Sequence, residues 1–412
     1  MATLHPTRRI QALVPKYAER FSCIGSACED TCCAGWKVTI DKKTYKAYRQ
    51  STNQKLSERL ESQVKRIRSE ASESNYARME LIPETGECPM IEDHLCSVQK
   101  ELGEDKLSNT CFTYPRTSFE GGGIHQQALT LSCPEAARLA LLAHDAFEFT
   151  QSEIIVRPLT LEQLKPQHGL SIEQMNEIRF FCIQLIRSEG YQLWEKIAFL
   201  GLFCESLTEA LKTNGQSRVS EIIASTQELM ASSQVSSLFG SMQPNYAIQA
   251  ITFTMLWDSK TRGRTSAYQA AVNQAVATGL GADEETGQVS SSQLVEQYEK
   301  GVKNLPKALE KAPFFLENYI LNEMWSECFP LGNTTPFENY LRLVIRFGLV
   351  RFMLAAQCSQ EDSLPHLNFM AQTVQTFCRR YQHDVQFATN VNNCFNNSGW
   401  SELQKIYRFL KT

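Results

Sequence analysis

The stretch of sequence that decides how this chain folds spans residues 17–40 and reads YAERFSCIGSACEDTCCAGWKVTI. It contains Cys23, Cys28, Cys32 and Cys33 among glycines and short polar connectors, and its apolar residues follow neither the helical nor the strand period. We therefore predict an irregular loop. A loop with so many thiols is typical of a segment that folds around a metal.

Four more cysteines occur before residue 134, namely Cys88, Cys96, Cys111 and Cys133, so that eight of the 14 cysteines lie in the first third of the chain. The first residues, MATLHPTRRIQALVPKYAERF, lack the apolar core of a secretory signal, which predicts a cytoplasmic protein. Because thiols stay reduced in that compartment, metal ligation is favoured over a disulfide framework, and unrelated buried thiols remain a third possibility.

The spacing of the cysteines bears on which metal they would bind. Zinc ribbons normally contain two C-x2-C knuckles, and this sequence has none. Adjacent side chains such as those of Cys32 and Cys33 point in different directions and do not easily meet at one ion. An iron–sulfur cluster spreads its ligand positions over a larger volume, so the spacing favours a cluster over zinc. Eight thiols exceed the four that one cubane requires.

Beyond the cysteines, the sequence turns helical. Asp41 is expected to cap a helix over about 42–74, a strand is expected over about 124–131 after three glycines, and Cys133 or Pro134 should begin a helix. Amphipathic segments dominate further on: about 172–188, 191–213, 217–231, 245–258, 265–279, 290–304, 313–327, 337–357, 364–380 and 400–410. We predict a mainly α fold, with an irregular cysteine-rich metal-binding module (1–150) packed on an all-α helical body (151–412).

Composition excludes several classes of protein. Hydrophobic residues make up 42% of the chain, as in an ordinary globular protein. The 41 Lys and Arg residues against 45 Asp and Glu residues give a net charge of −4, which is too close to neutral for a protein whose main task is binding nucleic acid. Since no run of about 18 apolar residues occurs, membrane insertion is not expected either.

Several blocks together resemble a known family. These are FSCIGSACEDTCCAGWKVTIDKKTYKAY (21–48), CPM (88–90), LCSVQKELGEDKLSNTCFTYPR (95–116), LTLSCPEAARLALL (129–142) and ENYILNE (317–323). In order and chemistry they are similar to the flagellin lysine-N-methylases, which share their cysteine pattern with a wider group of zinc- or iron-chelating proteins. The resemblance is close over residues 17–145.

The resemblance implies a cytoplasmic enzyme that uses S-adenosylmethionine and a 4Fe-4S cluster to methylate lysines of flagellin before export. It makes all eight N-terminal cysteines candidate metal ligands. Radical enzymes ordinarily carry C-x3-C-x2-C, whereas here Cys33 directly follows Cys32, and this departure argues against radical chemistry. The cluster would either bind the amino-acid part of the methyl donor or act as a structural clamp.

Candidate site residues in the helical part lie in the 317–323 segment. Tyr319 and Asn322 are predicted to act in catalysis, and Asn318 is predicted to bind the cofactor, because positions three and four apart share one helix face. Arg116 is the other residue predicted to bind the cofactor, by pairing with a carboxylate of the cofactor. The alternative for each is a packing hydrogen bond or a structural ion pair. Trp36 is expected to shield the cluster rather than to stack on adenine.

Two other classes of function stay open. One is a non-catalytic metal-binding or metal-delivery module, and the other is an interaction protein with a purely structural metal site. The long helical part argues against a simple carrier. Binding of S-adenosylmethionine would separate the enzyme from both.

Overall fold

The structure is a computed structural model, which describes residues 4–35, 37–257, 266–283, 285–332, 334–381, 387 and 402–412. Its strands are β1 (Arg8–Pro15), β2 (Thr39–Ile40), β3 (Val64–Arg66), β4 (Ala77–Met79), β5 (Ile91–Glu92), β6 (Leu95–Cys96), β7 (Arg116–Gly121), β8 (Ile124–Leu129), β9 (Phe149–Val156) and β10 (Leu161–Gln163).

The main sheet has five strands in the order β10-β7-β8-β1-β9. The pairs β10–β7 and β1–β8 are parallel, whereas β7–β8 and β1–β9 are antiparallel, so the sheet is mixed. Its strands β9 and β10 correct the expectation of an all-α body after residue 150, and the predicted domain boundary falls inside β9. The expected strand over 124–131 is confirmed as β8.

The helices are α1 (Lys16–Glu19), α2 (Lys42–Arg49), α3 (Gln54–Gln63), α4 (Ser97–Leu102), α5 (Asn109–Thr113), α6 (Pro134–Leu142), α7 (Ile172–Arg187), α8 (Leu193–Lys212), α9 (Val219–Ala231), α10 (Ser233–Ser241), α11 (Tyr246–Leu256), α12 (Ala267–Gly279), α13 (Ser291–Ala308), α14 (Phe315–Ser326), α15 (Pro336–Gln357), α16 (Leu367–Tyr381) and α17 (Leu403–Leu410). From α7 onward they follow the predicted segments, with α10 added. Among the helices of the described ranges, none is long and apolar enough to cross a membrane.

The helix predicted over 42–74 is wrong beyond its first turns. Asp41 caps α2 as expected, accepting bonds from the backbone N–H groups of Lys43 and Thr44. The Asn53 side chain then accepts a bond from the N–H of Leu56 and starts a separate helix. The polar loop after α2 and this second capping residue thus interrupt an otherwise continuous apolar period. After α3 ends, residues 64–66 pair with β4 instead of continuing the helix.

Two hydrophobic cores organise these elements. The larger core joins the main sheet to the helices and includes residues from both sides of position 150. The smaller core lies entirely between residues 38 and 107, and it includes Ile40, Leu56 and Met79. Cys88 and Cys96 pack against this smaller core, which therefore supports part of the cysteine-rich region.

Helix α14 lies at the centre of the larger core. It packs against α6, α7, α15 and the sheet strand β8. The indole N–H of Trp325 donates a hydrogen bond to the carbonyl of Gln127, at 3.0 Å, and fixes the helix on the sheet. Both Asn318 and Asn322 are buried as a consequence.

Helix α13 packs on α15 through a glycine, which leads to a stability prediction. A Cβ added at Gly301 would lie only 1.8 Å from the carbonyl oxygen of Ala355, so Gly301→Ala must push the two helices apart. We expect a loss of about 3 kcal/mol in the free energy of unfolding, measured by urea denaturation. The control is Gly240→Ala in α10, where nothing lies within 4 Å of the new Cβ. Equal stability of the two variants would contradict the prediction.

Candidate functional site

Two cysteine-bearing loops are joined by backbone hydrogen bonds. The N–H of Cys88 donates to the carbonyl of Cys33 at 2.7 Å, and the N–H of Gly35 donates to the carbonyl of Gly86 at 2.9 Å. A bridge between Ala34 and Glu87 lies between these two bonds. Cys33 and Cys88, which are 55 positions apart in the sequence, therefore lie on neighbouring backbone segments.

Six of the other seven N-terminal cysteines lie close enough to Cys32 to interact with it. Its Sγ lies 3.9 Å from that of Cys33. Its thiolate also interacts electrostatically with five further thiols, those of Cys28, Cys88, Cys96, Cys111 and Cys133. The described chain thus gathers thiols from five separate segments around one residue.

The acidity of these thiols differs. A hydrogen bond from Cys33 lowers the pKa of Cys32 to about 7, while the same bond raises the pKa of Cys33. Burial raises the pKa of Cys88 to about 11. Without a metal, Cys32 is therefore the thiol in this group that most readily becomes a thiolate near neutral pH.

Cys133 lies at the N-terminus of α6, but its thiol is not made more acidic there. It precedes α6 directly, as predicted, and the backbone N–H groups of Glu135 and Ala136 hydrogen-bond to it and lower its pKa. Burial has the larger effect, however, and raises the pKa to about 12. The helix N-terminus alone does not make this residue a free thiolate, because removing the thiol from water outweighs the backbone contribution.

The converging thiols do not form a ready site for a single ion. Within the described ranges, no group of three or more His, Cys, Asp or Glu residues is arranged to hold one metal ion. The assignment of the eight cysteines as metal ligands stays a prediction. Soft sulfur donors of this kind are the usual ligands of zinc and of iron–sulfur clusters.

A buried ion pair connects the cysteine loop to the helical part. The carboxylate of Asp30 has a side chain that is only 1% exposed and lies 2.8 Å from a guanidinium nitrogen of Arg379 in α16. Arg379 also donates to the backbone carbonyls of Thr31 and Ala34, the residues that flank Cys32 and Cys33. The amide of Gln375 donates to Asp30 from one turn earlier in the same helix.

This arrangement, which we call the Asp30–Arg379 clamp, fixes the backbone of residues 30–34. The charge of Arg379 also lowers the pKa of the Cys32 thiol, although the hydrogen bond from Cys33 contributes more. Sequence reasoning missed the clamp, because Asp30 and Arg379 are 349 positions apart and neither belongs to a short motif.

Arg116 lies close to two of the cysteines. Its guanidinium carbon is 5.2 Å from the centre of the Phe21 ring, and no carboxylate of the described chain lies within ion-pair distance of it. Burial lowers its pKa, while the carboxylate of Glu104 and, less strongly, the thiols of Cys23 and Cys133 act in the opposite direction. Arg116 is thus a partly buried cation that can take an anionic partner.

The predicted residues of α14 are all buried. The hydroxyl of Tyr17 donates to the amide oxygen of Asn322. Among the residues that the structure describes, neither the amide nitrogen of Asn322 nor the Tyr319 hydroxyl has a hydrogen-bond partner. Asn318 differs, because its amide nitrogen donates to the carbonyls of Ala140 and Ala143 at the end of α6. The functional roles of all three stay predictions.

An ion pair that the sequence did not reveal lies next to them. The buried carboxylate of Glu323 is 2.9 Å from a guanidinium nitrogen of Arg346 in α15. Burial raises the pKa of Glu323, and Arg346 opposes that shift. The charges of Glu323 and Arg346 also act on the Tyr319 hydroxyl, whose pKa is raised mainly by burial. The Glu323–Arg346 ion pair, the Tyr319 hydroxyl and the amide nitrogen of Asn322 therefore lie around one side of α14.

The remaining residues fall into two groups, those outside the described ranges and the cysteines of the helical part. Trp36 and Cys394 lie outside the described residues. Five later cysteines are buried, as small apolar side chains are expected to be, namely Cys182, Cys204, Cys328, Cys358 and Cys378.

Comparison with known proteins identifies relatives over nearly the whole chain. The FliB lysine N-methylase C-terminal domain family matches residues 179–409. The lysine-N-methylases of Salmonella typhimurium and Salmonella choleraesuis are each 26% identical over 398 residues, covering 93% of this chain and 95% of their own length. The flagellar biosynthetic protein FliU of Salmonella muenchen is 36% identical over 151 residues, which cover 36% of this chain and 88% of that protein. No solved structure shows significant similarity.

Proposed function

The chain belongs to the FliB lysine N-methylase family and is a protein-lysine N-methyltransferase, and on this basis we propose that it methylates lysine side chains of flagellin with S-adenosylmethionine. We also propose that cysteines of the N-terminal part hold a 4Fe-4S cluster. The flagellar substrate is supported by the name of the relative FliU. The cluster is supported by one observation above all, the convergence of six other thiols on Cys32.

The residues around the thiols suit an anionic cluster. Thiolates and sulfides give such a cluster a net negative charge, which must be compensated where water is partly excluded. Arg379 lies beside Cys32, and Arg116 lies near Cys23 and Cys133 without a carboxylate partner. When bound, a cluster with one iron free of thiolate would supply a coordination position for the amino and carboxylate groups of the donor.

The helical part supplies the other requirements of methyl transfer. A lysine must lose its proton before its nitrogen can attack a methyl group, and removing the amine from water favours the neutral form. Reactants must also be held in line, which positioned hydrogen bonds achieve. We propose that Tyr319 and Asn322 make such bonds, since both carry an unpartnered polar atom in the interior. Arg116 is the proposed partner of the donor carboxylate, with Asn318 as a neighbouring support.

The direct test is methyl transfer by protein purified without oxygen. Flagellin monomer and S-adenosylmethionine should yield methyl-lysine, detected by mass spectrometry, and calorimetry should show binding of the donor. Protein with a full cluster that binds no donor and transfers no methyl would contradict the proposal and favour a structural or metal-delivery role.

Tyr319 provides a sharp test of the site. Because its hydroxyl has no hydrogen-bond partner, Tyr319→Phe removes no contact that supports the fold. If the hydroxyl positions a reacting group, the rate of methyl transfer should fall by about 10²-fold with the thermal midpoint unchanged.

Tyr340→Phe is the matched control. Tyr340 is equally buried on α15, and its hydroxyl also lacks a partner. We expect full activity from this variant. Full activity of Tyr319→Phe as well would assign Tyr319 to packing alone, and the same measurement on Asn322→Ala would then decide whether α14 takes part.

A further inference from the structure

A cleft of about 200 Å³ lies between β10 and the turn that follows α14. One wall is formed by residues 162–167, and the other wall is formed by residues 327–332. The two walls are tied together at one end, where the backbone N–H of Gly332 donates to the side-chain oxygen of Gln167 at 3.0 Å. The cleft is therefore a built feature of the fold rather than a gap between loops.

The wall that follows α14 has an unusual backbone. Cys328 lies in the left-handed region with a φ of 54°, which is rare for a residue with a side chain. The turn is held in this form by Asn339, whose amide donates to the carbonyl of Pro330 at 2.8 Å. Strained residues that the surrounding structure enforces are concentrated at functional sites.

The lining of the cleft combines an apolar surface with two acids. Phe119, Leu164 and Leu331 provide the apolar part. Glu162 and Glu327, both exposed, bring a carboxylate from each wall. Neither lies within ion-pair distance of a cation in the described ranges, although the charge of Glu327 also acts on Arg342 and Arg346 of α15. The two carboxylates are close enough to interact, because the charge of Glu327 adds to burial in raising the pKa of Glu162. Lys165 is the only cation among the lining residues of the cleft.

We propose that this cleft receives the lysine side chain that is to be methylated, with its methylenes against the apolar residues and its ammonium docked between Glu162 and Glu327, one of which takes the proton that the amine loses before methyl transfer. This inference rests on the proposed function. Two carboxylates outside ion-pair distance of any cation in the described ranges attract a cation, and an apolar surface beside them suits the aliphatic stem of lysine. The volume is below the roughly 300–1,000 Å³ that ligand pockets usually have, so it suits one side chain better than an adenosine-bearing donor.

The position of the cleft agrees with the rest of the site. Tyr319 and Glu323 lie four residues apart on one side of α14, and Glu327 follows four residues later, at the cap directly after the helix. Glu327 also acts electrostatically on Tyr319. The helix that carries the proposed catalytic tyrosine thus ends at the cleft, and the substrate lysine would enter from that end.

The test compares how two forms of flagellin bind to the full-length protein. Acetylation removes the positive charge of lysine, so calorimetry with flagellin monomer and with acetylated flagellin isolates the contribution of the ammonium. We expect wild-type protein to bind unmodified flagellin at least about 10-fold more tightly, and Glu162→Gln/Glu327→Gln to bind both forms within about twofold. Glu153→Gln, an exposed acid of β9, is the matched control and should preserve the preference of the wild type.

Kinetic measurements distinguish the proposed lysine cleft from the proposed methyltransferase function. In methyl transfer, the double variant should raise the KM for flagellin about 10-fold or more, and Lys165→Met should lower it, since a competing cation is removed. A double variant that keeps the preference for unmodified flagellin would overturn the cleft assignment, and so would a Lys165→Met variant with a raised KM. If wild-type protein prefers unmodified flagellin through these two acids but transfers no methyl group, the proposed function fails and the lysine cleft stands.

Discussion

Replacing Cys32 and Cys33 together by serine is expected to abolish the cluster. Protein purified without oxygen should contain about four iron and four sulfide per chain, and the double variant should contain less than about one of each. The physical reason is that Cys32 is the point on which the other thiols converge, and a serine hydroxyl is a harder and much less acidic ligand. Iron and acid-labile sulfide are measured chemically, together with the visible absorption.

The matched control for this pair is Cys204→Ala. Cys204 is fully buried in α8 among apolar side chains, so its loss should leave the metal content unchanged. Stoichiometric zinc without sulfide in wild-type protein would contradict the cluster proposal. A Cys204 variant that lost its iron would show instead that the division between metal-binding and packing cysteines is wrong.

The second large effect is expected from breaking the Asp30–Arg379 clamp. Arg379→Met leaves the carboxylate of Asp30 buried without its cation and leaves the carbonyls of Thr31 and Ala34 without their donor. Removing one partner of a buried ion pair costs about 3–5 kcal/mol, and we expect a loss of this size in the free energy of unfolding. Urea denaturation measures the effect, and the iron content should fall with it because residues 30–34 carry Cys32 and Cys33.

Two further variants identify the cause. Arg379→Met combined with Asp30→Asn removes both charges and should recover part of the lost stability, since no uncompensated carboxylate remains. Arg187→Met, at an exposed position near the end of α7, should change stability by less than about 0.5 kcal/mol. An Arg379 variant as stable as the Arg187 variant would show that the clamp does not support the loop.

The sequence predicted the helices well where their signals are local. The apolar period over 172–188 predicted α7 correctly, and the capping box at Ser171 that begins this helix is likewise formed within a few residues. The strand pairing of the main sheet was not predicted from the sequence. Strand β1 pairs with β9, so that Arg8 lies opposite Val156, and no local pattern reports a partner almost 150 residues away. Strand β10, with only three residues, is too short to give a periodic signal.

The candidate site shows the same limit. The cysteines stand out in the sequence because a thiol-rich segment is unusual in composition, and the structure brings six of them towards Cys32. Arg379 does not stand out, since an arginine in the last turn of a helix has an ordinary explanation there. Likewise, Glu162 and Glu327 are single acids in unrelated segments, and only the folded chain places them across one cleft.

The clamp also has a consequence for the order in which the protein is completed during synthesis. Asp30 is made early, whereas Arg379 leaves the ribosome 349 residues later. Until then the growing chain carries its cysteines with the 30–34 loop unsupported, because local contacts do not replace those that α16 provides. The loop therefore receives its full set of contacts only after translation has passed Arg379. If the cysteines hold the proposed cluster, we expect iron and sulfide to enter the finished chain rather than the nascent one.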